Sequence, residues 1–151
     1  MYYSRSMTFN QAFVDACYRA IAHSDDPHRK VGCVIVKDDD ILVEGANKIL
    51  NGAKVTPERL EKPAKYIWIE HAERTAIYRA AKDGICLDGS TMYMSWWPCI
   101  DCCRAIINSG IKHLVVPNKP DFSDDRWGNQ FRITDEMIKE VGIDVTYTND
   151  T

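Results

Sequence analysis

Any fold for this chain has to bring together two motifs that are well separated along it, His71-Ala72-Glu73 and Pro98-Cys99-Ile100-Asp101-Cys102. Cys99 and Cys102 stand at i and i+3, so one turn of helix puts both sulfurs on the same side. Pro98 suits the first helical position, where its missing N–H has no partner to lose. The positive end of the helix dipole favours anions and lowers the pKa of thiols beside it. His71 opens a helical pattern of its own, so two helix tips can converge on one point. Two thiolates and an imidazole at that point, His71, Cys99 and Cys102, make a three-ligand zinc site with its fourth position open to water. Water on zinc has a pKa near about 7, which supplies hydroxide at neutral pH.

Glu73 follows His71 by two, so on a regular helix it points away from the imidazole and is a poor fourth ligand. At the helix tip it is well placed as a proton shuttle for that water, and such positioned transfer contributes roughly 10²–10⁴-fold in rate. Each part alone has a plainer reading. Cys-x-x-Cys also suits a structural zinc or a redox pair, and a lone histidine sits as readily on the surface or in a core. A structural site would want a fourth Cys or His; Cys103 directly follows Cys102 and projects elsewhere on the helix.

The surrounding pattern alternates helices and strands. Residues 8–22 carry apolar positions at helical spacing, with Thr8 as N-cap. Val31 to Val36 reads as a buried strand, Asp38-Asp39-Asp40 as a turn, and Ile41 to Gly45 as the returning strand. The stretch 47–70 is long, polar and irregular, as functional loops tend to be. Ala72 to Lys82 is helical and closes at Gly84, a helix-terminating glycine. Thr91 to Ser95 reads as a strand, Ile100 to Asn108 as a helix ending at Gly110, and Lys112 to Val116 as a strand. A second loop spans 117–131, followed by a helix over 134–141 and a strand over 143–147. These elements form an α/β domain around a mixed five-stranded sheet, and the 151 residues are expected to make one domain.

A net charge of −3 argues against an extended nucleic-acid surface. The N-terminal Met1-Tyr2-Tyr3-Ser4-Arg5 lacks the apolar core of a signal peptide, and no run reaches membrane-spanning length. Six cysteines placed this way suit a reducing cytoplasm, where Cys-x-x-Cys binds metal or does redox work, better than a disulfide framework.

H-x-E with P-C-x-x-C is the known signature of the zinc-dependent nucleobase deaminases. The chain resembles the cytidine/deoxycytidylate deaminase superfamily, and within it the deoxycytidylate (dCMP) deaminases most. The matching stretches are Ser24 to Gly32, His71 to Ile77, Thr91-Met92-Tyr93, and Pro98 to Ile107 with Gly110-Ile111. The resemblance implies a three-layer α/β/α cytidine deaminase-like fold and hydrolysis of dCMP to dUMP and ammonia, by a zinc-bound hydroxide with Glu73 as proton shuttle. It implies that Asn47 contacts the sugar and that the Ala72 N–H reads the pyrimidine carbonyl. Arginine suits a phosphate through its planar fork, and Arg29, Arg126 and Arg132 fall in or beside loops near the pocket mouth. Trp96 and Trp127 are candidates to wall the base, with Trp97 the third of the set. Similar enzymes assemble as dimers or hexamers.

Three positions depart from the pattern: Thr75 stands where dCMP deaminases often carry Asn, Lys48-Ile49-Leu50 replaces a Gly-containing turn linked to nucleotide regulation, and 48–70 holds no Cys or His. Rival readings are a deaminase of a free nucleoside or base (cytidine, cytosine, guanine) and a tRNA or single-stranded DNA editor. Outside the enzymes stands a zinc-stabilised binding module, against which Glu73 counts.

Overall fold

The computed structural model describes residues 9–149. Its main sheet has five strands, β1 (Gly32–Lys37), β2 (Asp40–Ala46), β5 (Thr91–Met94), β6 (His113–Val116) and β7 (Asp144–Tyr147), in the order β2-β1-β5-β6-β7. β1 runs antiparallel to β2 and β5, while β5, β6 and β7 are mutually parallel. The sheet is mixed, as expected. Asp38 and Asp39 take left-handed φ of 52° and 64°, the two-residue turn whose twist suits a hairpin, and Asp40 already pairs with Lys37.

Period-two alternation sorts the strand side chains into two cores. Cys33, Ile35, Met92, Met94, Leu114 and Val116 face one way, where Ala76, Ala80, Ile106, Phe131 and Ile138 cover them from α3 (Ala72–Asp83), α4 (Ile100–Asn108) and α5 (Gly128–Val141). Val34, Val36, Tyr93 and Val115 face the other way, under Ala16 and Cys17 of α1 (Gln11–Ala20). Helices on both faces of one sheet give the three-layer α/β/α fold.

The element ends carry their reasons. Thr8 lies outside the described residues; Asn10 caps α1, its side chain accepting the Ala12 N–H at 2.9 Å. α3 stops at Gly84 in the left-handed conformation. The stretch 47–70 is more ordered than its polarity suggests. β3 (Lys48–Ile49) pairs with β4 (Ile69–Glu70), and between them lie a 3₁₀ turn over Pro57–Leu60 and one helical turn, α2 (Lys65–Trp68). Such short elements leave no periodicity to read.

α5 begins at Gly128, earlier than the expected 134, because Phe131 joins Thr134 and Ile138 in the buried stripe. Gly128-Asn129-Gln130 hides that start from propensity reasoning. Glycine is required there, since a Cβ at 128 would lie 2.3 Å from the Phe122 carbonyl oxygen.

Candidate active site

The tips of α3 and α4 converge. His71 is the N-cap of α3 and Cys99 the N-cap of α4, its sulfur accepting the Cys102 N–H at 3.5 Å. His71 Nδ1 lies 3.4 Å from Cys99 Sγ and 3.4 Å from Cys102 Sγ. The three donor atoms fall within 4.8 Å of one another, and neither sulfur is in a disulfide. Tetrahedral zinc with bonds of about 2.0–2.1 Å to nitrogen and 2.3 Å to sulfur requires an N···S separation of about 3.5 Å. The donor set fits that ion.

The charge pattern fits as well. Hydrogen bonding from Cys102, helped by His71, draws the Cys99 thiol down to about 3. The same bond to Cys99, with burial, pushes the Cys102 thiol up, and contact with Cys99 raises the His71 imidazole. Two thiols and an imidazole gathered this closely give up their protons when a divalent cation binds.

Glu73 is 4% exposed and lines the cavity next to His71. Burial lifts its carboxyl from 4.5 to about 7, as a low-dielectric site does to any carboxylate. Around these groups opens a cavity of about 650 Å³, whose walls include His71, Ala72, Glu73 and Cys99 together with Arg29, Lys62, Tyr66 and Arg126.

Of the remaining sequence-derived candidates, Asn47, Ala72, Arg29, Arg126, Trp96 and Trp127 all line this cavity. Arg132 does not. α5 starts early enough to carry it, one residue past the buried Phe131, and its guanidinium stacks over Phe122, 5.2 Å from the ring centre, and donates to the Phe122 carbonyl at 3.4 Å. Trp97 divides its surface, lining the cavity while its Nε1 donates to Thr134 Oγ1 at 2.8 Å in the core.

Asn47 is also a brace. Its Oδ1 accepts from Ser24 Oγ at 2.6 Å and from the Val31 N–H at 2.9 Å, and its Nδ2 donates to the Arg29 carbonyl at 2.6 Å. That fixes the 24–31 loop, and with it Arg29, whose guanidinium sits 4.9 Å from the Trp96 ring centre. Arg126 stacks in the same way on Trp127, at 5.2 Å. Among the described residues neither arginine has an ion-pair partner.

The family model for the cytidine and deoxycytidylate deaminase zinc-binding region matches residues 7–117. The chain belongs to this deaminase family. It is 32% identical over 124 residues, 82% of each chain, to the uncharacterized deaminase in the luxG 3′ region of Aliivibrio fischeri. Against the human deoxycytidylate deaminase it is 31% identical over 110 residues, covering 68% of this chain but 61% of the human one. The crystal structure of the dCMP deaminase of cyanophage S-TIM5, in complex with dCMP and dUMP, superposes with a TM-score of 0.71 at 25% identity, covering 91% of this chain and 95% of that one. The deaminase family and the donor geometry together define a zinc-dependent hydrolase.

Several residues on or beside the cavity wall escaped the sequence reading. Asp26 and Lys65 form an ion pair at 3.0 Å, with side chains 7% and 10% exposed, on the cavity wall. Asp26 Oδ1 also accepts the N–H groups of His28 (2.9 Å) and Arg29 (3.1 Å). A hydrogen bond between His28 Nε2 and Glu61 Oε1, at 2.9 Å, joins the same two segments. Arg74 is held by Glu70 through an Nε bond of 2.8 Å, and its buried Nη1 has no hydrogen-bond partner. The i,i+4 spacing of Glu70 and Arg74 was readable; the pairing of Asp26 with Lys65, distant along the chain, was not.

Burial acts upward on the Asp26 carboxyl, but the two N–H groups and Lys65 outweigh it and its pKa falls below 3.8. A depressed folded pKa contributes stability that is fully present above the unfolded value and is lost as pH falls through the folded one. Asp26→Asn is therefore expected to cost about 2 kcal/mol at pH 7, the range of a hydrogen bond to a charged group. The gap to wild type closes in acid below pH 4, as measured by urea denaturation at a series of pH values.

Proposed function

We propose that this deaminase hydrolyses dCMP to dUMP and ammonia. The observation that carries the reading is one cavity lined both by His71, Glu73 and Cys99 and by Arg29 and Arg126, two guanidiniums without an ion-pair partner among the described residues. Paired proton chemistry at one end and uncompensated cations elsewhere suit a base that carries a phosphate.

His71, Cys99 and Cys102 would hold a zinc ion, whose Lewis acidity would bring the pKa of water to about 7. Glu73 takes the proton of the attacking water and delivers it to the ring nitrogen beside the amine-bearing carbon. The water's oxygen adds to that carbon as a hydroxyl; Glu73 then relays the hydroxyl proton to the amine, the C–N bond breaks, ammonia leaves, and the oxygen becomes the new ring carbonyl. A buried carboxyl beside the metal ligands is placed to take a proton from the water and hand it on within the closed site.

The Ala72 N–H, at the first position of α3 and without a helical acceptor, reads the pyrimidine carbonyl, while Trp96 and Trp127 flank the ring. Asn47 offers the sugar the amide N–H that its brace leaves over. The chain works as one domain in the cytoplasm, where its free thiols stay reduced, and as a homo-oligomer, dimer or hexamer. The described residues contain no helix long and apolar enough to cross a membrane.

The test is ammonia release from dCMP, dCTP, deoxycytidine, cytosine and guanine by the zinc-loaded protein. The expected result is turnover of dCMP with kcat/KM at least tenfold above that of deoxycytidine. Equal or better turnover of an unphosphorylated substrate would replace the phosphate reading and keep the chemistry.

A further inference from the structure

Arg126 is held in place before any substrate arrives. One face of its guanidinium lies on Trp127, and its Nη2 donates to the Tyr66 hydroxyl at 3.0 Å across the cavity mouth. A guanidinium carries five N–H donors; the hydroxyl uses one and leaves the rest of the fork for an anion. Tyr66 lies on α2, on the segment from the 3₁₀ turn to β4 that contributes Glu61, Lys62, Lys65 and Ile69 to the same cavity. Lys62 stands beside the phenol. Burial acts upward on the hydroxyl but is outweighed by hydrogen bonds from Arg126 and Lys62, so its pKa lies below the usual 10. Among the described residues Lys62 has no carboxylate partner. Three groups from two loops, two of them cationic and one a neutral acceptor and donor, thus meet at one corner of the cavity.

We propose that Tyr66 is a positioning residue for the substrate's phosphate: its hydroxyl fixes Arg126, and with Lys62 beside it completes an anion site at the cavity mouth. This rests on the phosphate reading of the proposed function. The cation–π contact alone leaves the guanidinium free to slide over the indole, whereas the hydroxyl across the mouth fixes its direction. Because an ordered arginine loses less freedom when it binds, the hydroxyl acts on affinity rather than on the chemical step. Tyr66 is 57% exposed, so the phenylalanine variant folds.

The experiment compares wild type, Tyr66→Phe and Lys62→Met for kcat and KM on dCMP and deoxycytidine, with isothermal titration of dUMP and deoxyuridine alongside. Each substitution is expected to raise KM for dCMP and Kd for dUMP about tenfold, to change kcat by less than twofold, and to leave deoxycytidine and deoxyuridine unaffected. Equal losses on phosphorylated and unphosphorylated ligands, or none, would overturn the role of Tyr66 while wild-type discrimination keeps the phosphate reading. A wild type that does not discriminate dUMP from deoxyuridine would remove the phosphate reading and this role with it.

Discussion

Replacing Glu73 by Gln is expected to lower kcat on dCMP by about 10²–10⁴-fold, equivalent to about 2.7–5.5 kcal/mol of transition-state stabilisation. The amide keeps the shape of the side chain and can still hydrogen-bond, but it cannot carry a proton. Substrate binding should therefore change little and the loss should fall on kcat. Zinc content should stay at one per chain, because the ligands are His71, Cys99 and Cys102. Stability should not fall either. Glu73 is 4% exposed, and the amide fills the same volume without adding a charge to the interior. Stopped-flow or steady-state ammonia release gives the rate, metal analysis the zinc, and thermal unfolding the stability. A variant that keeps wild-type kcat would remove Glu73 from the chemistry.

The metal centre was legible in the sequence because its geometry is local. Cys99 and Cys102 share a helical turn, His71 stands at the N-cap position of the preceding helix, and only their convergence had to be supplied by the fold. The strands were legible for the same reason, since Val34 and Ile35 take opposite faces by period alone. The cavity's far end was not. Arg29 and Arg132 looked equivalent as loop cations. The brace from Asn47 to the Arg29 carbonyl and the early start of α5 at Gly128 separate them, and both depend on contacts between distant parts of the chain. Asp26, in the 24–31 loop, and Lys65 and Tyr66, in 47–70, were invisible in segments that carry no apolar period, because what places them is a set of polar clasps: Asp26 to Lys65, His28 to Glu61, and Tyr66 to Arg126.

The second large effect is expected at a residue with no side chain to take part in the chemistry, Gly45. This glycine sits at the end of β2 where α3 presses against the sheet, and a Cβ there would lie 2.3 Å from the Ala72 carbonyl oxygen and 2.9 Å from both Ala76 N and Ala76 Cβ. None of these is the yielding end of a long side chain. Two are backbone atoms of the helix that begins with Ala72 and Glu73, and Ala72 and Ala76 are both fully buried. Overpacking a well-filled core costs about 1–3 kcal/mol and more where nothing gives way; with two backbone atoms in the way, Gly45→Ala is expected to cost about 3 kcal/mol or more. It should show as a lower urea midpoint at unchanged slope. The helix can escape the clash only by moving off the sheet, which carries its N-cap, His71, away from Cys99 and Cys102. The folded variant should therefore bind zinc at least tenfold more weakly than wild type in a chelator competition, although no ligand has been touched. Wild-type zinc affinity in a destabilised Gly45→Ala protein would mean that the sheet, not the helix, absorbs the strain, and that the tip of α3 is held by Glu70, Arg74 and the α4 contacts rather than by its seat on β2.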